Sequence, residues 1–160
     1  MERLWAPWRM TYITEEPRPG CLFCRALQET DDPDSDLVLW RPEGAIVMLN
    51  KFPYNPGHAM VAPAAHKASF EDLDAGESTA LMAALARTLE VLREELKPEG
   101  FNVGANIGRV AGAGIPDHVH LHVVPRWNGD TNFMPVLAEV KVVNEHLKRT
   151  AEKLRPAFAS

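Results

Sequence analysis

The pattern of apolar and polar positions is most regular in residues 117–126, where three aliphatic residues alternate with three histidines. A two-residue period of this kind predicts a β-strand, because successive side chains on a strand point to opposite faces. The three imidazoles would share one face, and we expect the aliphatic side chains to pack into the core on the other. The histidines are His118, His120 and His122, and the aliphatic residues are Val119, Leu121 and Val123.

The rest of the chain has the patterns of four more strands, one long helix and two short helices. The long helix begins near residue 76 or 77 and ends at Leu96, because leucines spaced three and four apart form one apolar stripe. A short helix is predicted at residues 25–30, and another around Leu147, Ala151 and Leu154. The predicted strands are residues 37–40, 45–50, 59–63 and 101–106.

At 160 residues, with 46% hydrophobic and 24% charged residues, the chain has the size and composition of one globular domain. We expect a single domain over residues 1–160, with an N-terminal arm at 1–20 and a C-terminal extension at 137–160. The net charge of −5 provides no basic surface for nucleic acid. No apolar run is long enough for a membrane span and no leader is recognised, so we expect a cytoplasmic protein without membrane or nucleic-acid partners.

Cys21 and Cys24 are the only cysteines, and a Cys-x-x-Cys pair can supply two ligands to one metal ion. Structural zinc binds four nitrogen or sulfur ligands in a tetrahedron, so His66 and one histidine of the strand could complete the set. The alternative is a reduced cysteine pair buried as small apolar residues. A thioredoxin-type redox role is disfavoured, because the pair does not lie between a strand and a long helix.

The remaining histidines of the strand are candidates for catalysis. A neutral imidazole can act as a general acid or base near neutral pH, or as a nucleophile toward phosphorus or an acyl carbon. The chain contains neither a Gly-x-Ser-x-Gly turn nor a His-Glu-x-x-His metalloprotease motif, which makes nucleophilic histidine chemistry the more specific hypothesis. A glycine-rich loop at residues 108–114 precedes the strand, and its backbone N–H groups could approach a phosphate closely.

The segment from His118 to Val124 resembles the signature of the histidine triad superfamily of nucleotide hydrolases and transferases. Residues 5–9 and 129–133 are similar to the branch that contains Fhit-like dinucleoside polyphosphate hydrolases and bacterial diadenosine tetraphosphate phosphorylases. The resemblance covers nearly the whole chain, because it extends to Asn50, Pro56-Gly57-His58, residues 102–114, Arg126 and the cysteine pair.

This resemblance implies a role for each matched residue. His120 would attack the α-phosphorus and form a covalent nucleotidyl intermediate, with His122 near the phosphate and the leaving oxygen. His118 would bind one structural zinc ion per chain, together with Cys21, Cys24 and His66. The residues that would bind the nucleotide are Asn50 at the ribose and Asn106, Gly112 and Gly114 along the phosphates.

The resemblance also implies an α+β fold with a five-stranded antiparallel sheet and two helices, paired into a homodimer with a continuous sheet. The substrate would be a nucleotide or a dinucleoside polyphosphate such as diadenosine tetraphosphate. Gly114 departs from the pattern, since hydrolase members carry a glutamine and phosphorylase members a serine at this position. The departure leaves the acceptor open between water and inorganic phosphate, and a dimeric nucleotide-binding module with little catalysis is a third alternative.

Overall fold

The computed structural model describes residues 19–28, 33–130 and 146–159, so most of the predicted N-terminal arm and part of the C-terminal extension lie outside the described residues. Five strands form one antiparallel sheet in the order β1-β2-β3-β5-β4, which confirms the expected α+β architecture. The strands are β1 (Val38–Trp40), β2 (Ala45–Leu49), β3 (Ala59–Pro63), β4 (Gly100–Gly104) and β5 (Leu121–Arg126).

Three α-helices are present among the described residues, one more than the two that the resemblance implied. They are α1 (Leu22–Gln28), α2 (Ala75–Leu96) and α3 (Leu147–Ala159). The long helix α2 begins next to its predicted start because Asp74 and Glu77 form a capping box, in which each side chain accepts the other's backbone N–H at 2.8 Å. It ends at Leu96 as predicted, where Lys97 adopts a left-handed conformation before a proline.

The helix α2 covers one face of the sheet. It packs against β2 and β3, and the Arg93 guanidinium lies 5.2 Å from the ring centroid of Phe101 on β4. Residues directly opposite each other on antiparallel strands share a face, so Val103, Val123 and Ala59 lie on the same side as Phe101. His122, with its partners Met60 and Gly104, therefore points to the opposite face, away from α2.

The histidine segment is only partly a strand. The prediction that residues 117–126 form one strand is wrong at its start, because β5 begins at Leu121. Continuing the β3–β5 register would pair Val119 with Pro63, which has no N–H to donate. The Val119 N–H donates instead to the Lys67 carbonyl at 2.7 Å, so only His122 of the three histidines belongs to the ladder.

The ends of other predicted elements also shift. The strand β4 ends at Gly104, so Asn106 lies in the loop that follows it, and β2 ends at Leu49 with Asn50 just beyond. The predicted helix at residues 25–30 is observed as α1, three residues earlier at its start. No helix among the described residues is long and apolar enough to cross a membrane.

Candidate active site

His120 is buried against α1 and is oriented by the backbone. Its side chain is 2% exposed, and the Phe23 ring lies 5.1 Å from its own ring, centroid to centroid. The His120 Nδ1 atom lies 2.8 Å from the His118 carbonyl oxygen. A carbonyl only accepts, so Nδ1 carries the proton and Nε2 keeps a lone pair. Burial also lowers the pKa of His120, which keeps the ring neutral and suited to act as a nucleophile.

His122 is fixed in the opposite tautomer by a chain of hydrogen bonds. The Tyr54 backbone N–H donates to His58 Nδ1 at 3.0 Å, so the proton of the neutral His58 ring is on Nε2. That Nε2–H donates to His122 Nδ1, also at 3.0 Å. The remaining proton of a neutral His122 therefore resides on Nε2. Burial, and secondly the charge of nearby His120, lowers the pKa of His122 to about 4.

His58 is thus a site residue whose role the sequence analysis missed. It is fully buried, on the turn that precedes β3, where Gly57 has a φ of +75°. The only sequence signal was the Pro-Gly-His segment, since the hydrogen bond to His122 joins residues 64 positions apart. The ring centroids of His120 and His122 lie 4.9 Å apart. His120 offers a lone pair, and His122, through its contact with His58, offers an N–H.

The four predicted metal ligands lie together at the other end of the histidine segment. The ligand atoms of Cys21, Cys24, His66 and His118 are all within 4.8 Å of one another. His118 is fully buried, and its Nε2–H donates to the Pro63 carbonyl at 2.8 Å, so its Nδ1 lone pair faces the two cysteines and His66. This carbonyl contact is the kind of support that orients a metal-binding histidine. We refer to these four residues as the Cys-His cluster.

The electrostatics of the Cys-His cluster favour a bound cation. Burial raises the pKa of the Cys24 thiol, and the nearby Cys21 raises it further by charge repulsion and a hydrogen bond. The Cys24 thiol therefore resists ionisation unless a positive charge lies beside it. His66 is exposed, which leaves a route from solvent to the cluster.

The predicted nucleotide-binding residues are distributed over two loops. Asn50 follows β2, and its Oδ1 accepts the Phe52 backbone N–H at 2.8 Å. Asn106 lies after β4, and its Nδ2 is 4.0 Å from where a Cβ on Gly112 would lie, so these two residues adjoin. Gly112 has a φ of +88°, a conformation that favours glycine. Gly114 has open space on its Cβ side.

An open cleft of about 470 Å³ adjoins His122 on the face of the sheet opposite α2. Asn106 lines it, together with residues that the sequence analysis did not assign to the site. Among these are Tyr54, Asn102, Gly104 and Arg126. Of the predicted residues, the cleft brings together His122 and Asn106, whereas the Cys-His cluster is separate from it.

Comparison with known proteins gives consistent results. The family model described as "HIT domain" matches residues 33–129. The chain is 38% identical to AP-4-A phosphorylase of Mycobacterium tuberculosis over 99% of its own length and 85% of the relative. It is 28% identical to adenosine 5'-monophosphoramidase of Schizosaccharomyces pombe, over 84% of the chain and 96% of the relative. A Zn-bound histidine triad family protein from Mycobacterium smegmatis superposes with a TM-score of 0.70 at 28% identity, covering 87% of this chain and 93% of that one.

Proposed function

Because the chain belongs to the histidine triad (HIT) family, we propose that it is an enzyme that cleaves dinucleoside polyphosphates through a covalent nucleotidyl-histidine on His120. The pair of fixed tautomers carries the proposal. His120 offers the Nε2 lone pair, and His122 offers an Nε2–H. A nucleophile and a hydrogen-bond donor for the leaving oxygen, 4.9 Å apart from ring to ring, favour a substitution at phosphorus.

In the first step, His120 Nε2 bonds to the α-phosphorus and the bond from phosphorus to the bridging oxygen breaks. The electron pair of that bond goes to the leaving oxygen, which departs as part of a polyphosphate anion, and the His122 Nε2–H stabilises that oxygen by a hydrogen bond. The His118 carbonyl stabilises the positive charge that develops on the His120 ring, through the Nδ1–H hydrogen bond. In the second step, water or phosphate attacks the α-phosphorus of the nucleotidyl-histidine. The P–N bond breaks, its electron pair returns to His120 Nε2, and a proton carried by the acceptor is released to solvent.

Loss of the nucleophile tests this proposal. Replacing His120 with Asn should lower turnover of diadenosine tetraphosphate by at least about a thousandfold while the fold persists. His146→Asn is a matched control, because His146 is an exposed histidine before α3. Undiminished turnover in the His120 variant, or calorimetric binding without turnover in the wild type, would contradict the proposal.

Phosphorolysis is the second candidate, and the similarity to the M. tuberculosis AP-4-A phosphorylase favours it. The acceptor is then inorganic phosphate instead of water. Turnover in isotopically labelled phosphate separates the two reactions, because only phosphorolysis transfers the label into a nucleoside diphosphate. Unlabelled nucleoside monophosphate as the sole product of the attacked half would identify a hydrolase.

We further propose that the Cys-His cluster binds one structural zinc ion. Tetrahedral zinc places nitrogen and sulfur ligand atoms about 3.4–3.8 Å apart. His118 Nδ1 lies 3.3 Å from Cys21 Sγ and 3.7 Å from Cys24 Sγ. His66 Nδ1 lies 3.3 Å from both Cys24 Sγ and His118 Nδ1. The ion would hold α1 on the sheet and fix His118, whose carbonyl orients His120. Elemental analysis should find about one zinc per chain, and a fully folded protein without metal would refute this assignment.

The proposed enzyme is a homodimer with a continuous sheet. β4 is an edge strand, and residues 102–104 on it are exposed. An exposed edge offers N–H and C=O groups for pairing with a second copy. Light scattering after size exclusion should give twice the 17.8 kDa chain mass, and the mass of a single chain would exclude the dimer.

A further inference from the structure

The floor of the cleft beside His122 is open because Gly104, one of two glycines of β4 on this face of the sheet, lies where a side chain would otherwise project. Gly104 is the direct partner of His122 across the β4–β5 ladder, and Gly100 is the partner of Arg126. Directly paired residues share a face, so both glycines lie on the cleft side of the sheet. A Cβ on either would meet no atom within 4 Å. Neither has a positive φ, so it is space and not backbone conformation that glycine provides here.

Tyr54 forms an aromatic wall of the cleft. The side chain is 54% exposed, and its ring centroid lies 4.7 Å from that of His58 and 6.3 Å from that of His122. The ring is tilted by 30° to both imidazoles. The backbone N–H of Tyr54 donates to His58 Nδ1, so the residue is held in place although its ring is in solvent. An anchored, exposed aromatic ring is a platform on which a planar base can stack.

Arg126 lies farther along the same face, and hydrogen bonds to Asp130 and Asn102 hold its guanidinium. It donates from Nε and Nη2 to the Asp130 carboxylate at 2.6 and 2.8 Å, and from Nη1 to Asn102 Oδ1 at 2.7 Å. Asp130 is itself fixed by the Asn55 amide at 2.8 Å. Asn102, which contacts the guanidinium, pairs with Val124 on β5. Val124 is two residues from His122, so the guanidinium lies about 7 Å along the strand from His122.

These features describe a site beside the His122 Nε2–H, with an open floor at Gly104 and an aromatic wall at Tyr54. Arg126 and Asn102 add hydrogen-bonding groups at its far end. The Arg126 side chain is 41% exposed, and the Asn102 side chain beside it is also exposed. Asp130 offsets the charge of Arg126, so the guanidinium would contribute oriented N–H donors more than net charge. The distance between His122 and the Arg126 guanidinium, about 7 Å, can be spanned by one or two phosphates.

We propose that the cleft binds the leaving half of the substrate and that this half is a nucleoside polyphosphate, with its phosphates over the Gly104 floor and its base on Tyr54. This inference rests on the proposed function and adds the residues that select the leaving group. The bond that breaks is the one between the α-phosphorus and the bridging oxygen, and His122 donates a hydrogen bond to the oxygen that departs into the cleft. A leaving group as small as ammonia would leave the cleft unused.

Two substrates that share the adenylyl half test the proposal. Diadenosine tetraphosphate has a nucleoside polyphosphate leaving group, and adenosine 5'-phosphoramidate has ammonia. The readout is the ratio of their kcat/KM values. Tyr54→Ala should lower this ratio about tenfold through loss of one stacking platform. Gly104→Val, which fills the floor where space is available, should lower it by a similar factor.

The controls separate selection of the leaving group from general damage. Tyr54→Phe keeps the ring and should restore the ratio. Phe52→Ala removes an aromatic ring that is 47% exposed on the same loop but does not line the cleft, and it should leave the ratio within about twofold of wild type. If Tyr54→Ala fails to fold, the ratio measured for Gly104→Val is sufficient to test the proposal. Valine is tolerated by the backbone at position 104, because Gly104 does not have a positive φ.

Different results would contradict the leaving-half site and the proposed enzymatic function. An unchanged ratio in Tyr54→Ala and Gly104→Val, with both substrates turned over by the wild type, overturns the leaving-half site and keeps the enzyme. Equal losses on both substrates also overturn it, because they would make these residues structural. A wild type that turns over neither substrate overturns the proposed function and this inference with it.

Discussion

His120 and His122 have opposite tautomers because each Nδ1 contacts a group of a different kind. His120 Nδ1 faces a carbonyl, which can only accept, whereas His122 Nδ1 faces the N–H of His58. The two rings are only two residues apart, yet one offers the nucleophilic lone pair and the other a hydrogen bond to the leaving oxygen. Burial keeps both neutral, because it disfavours the charged imidazolium.

The lowered pKa of His122 predicts how activity depends on pH. With a pKa of about 4, His122 stays neutral well below the usual histidine range around 6.5. The acid side of the kcat/KM profile should therefore show no loss attributable to His122 until the pH approaches 4. Brief assays after a pH jump, followed by return to neutral pH, separate this titration from metal loss. Reversible inactivation with a pKa near about 6.5 would contradict the assignment.

The same shift predicts how stability depends on pH. The folded pKa of His122 is below the unfolded value of about 6.5, so the unfolded chain takes up the proton first as the pH falls. The free energy of unfolding should decrease between about pH 6.5 and pH 4. Urea titrations at several pH values should show this decrease, and His122→Asn should make it shallower. An equal slope in the variant would mean that His122 does not contribute.

At the scale of elements, α1 depends on its attachments. A helix of seven residues is too short to be stable by itself. Its inner face is fully buried through Phe23 and Ala26. Cys24 on the helix contacts His66, and Cys21 just before it contacts His118. The packing of Phe23 against the rings of His118 and His120 makes α1 part of the catalytic support.

Metal removal should therefore loosen α1 and lower the stability of the whole chain. We expect a chelator to lower the Tm of the wild type by at least about 5 °C, given about 2–4 °C for each kcal/mol in a chain of this size. A Cys21→Ser/Cys24→Ser double variant should begin at the lower Tm and show no further change with chelator. A chelator shift of equal size in wild type and double variant would place the metal elsewhere.

At the scale of the whole molecule, Gly57 joins the core to the site. It has a φ of +75°, and a Cβ there would lie 2.3 Å from Leu96 Cδ1 at the end of α2. The loop that carries His58 therefore sits directly on the C-terminal turn of α2. A side chain at position 57 would push the loop away from α2 and disturb the hydrogen bond between His58 and His122.

Gly57→Ala should be destabilising for two reasons, backbone strain and steric overlap. Gly129→Ala is the matched control, because Gly129 has a φ of +76° but open space on its Cβ side. We expect the control to lose about 1 kcal/mol from strain alone and the Gly57 variant to lose roughly 1–3 kcal/mol more. Urea denaturation measures both losses. Equal losses would show that α2 relaxes without cost.

The sequence was sufficient for the features that depend on local pattern and was insufficient for those that depend on distant partners. Periodicity located all five strands and the end of α2 at Leu96, and the resemblance supplied the five-stranded antiparallel arrangement. Periodicity failed at the start of β5. The missing N–H of Pro63 has an effect only where β3 would pair with β5, and the sequence pattern does not show that pairing. Tyr54 and His58 were missed for the same reason, since their roles arise from contacts with a strand far along the chain.

The most direct test of the account is identification of the covalent intermediate. The wild-type protein is mixed with diadenosine tetraphosphate, quenched in alkali to preserve the P–N bond, digested and analysed by fragmentation mass spectrometry. We expect one adenylyl group on His120 and none in His120→Asn. An adduct on another residue, an adduct that persists in the variant, or rapid turnover by the wild type without any adduct would contradict it.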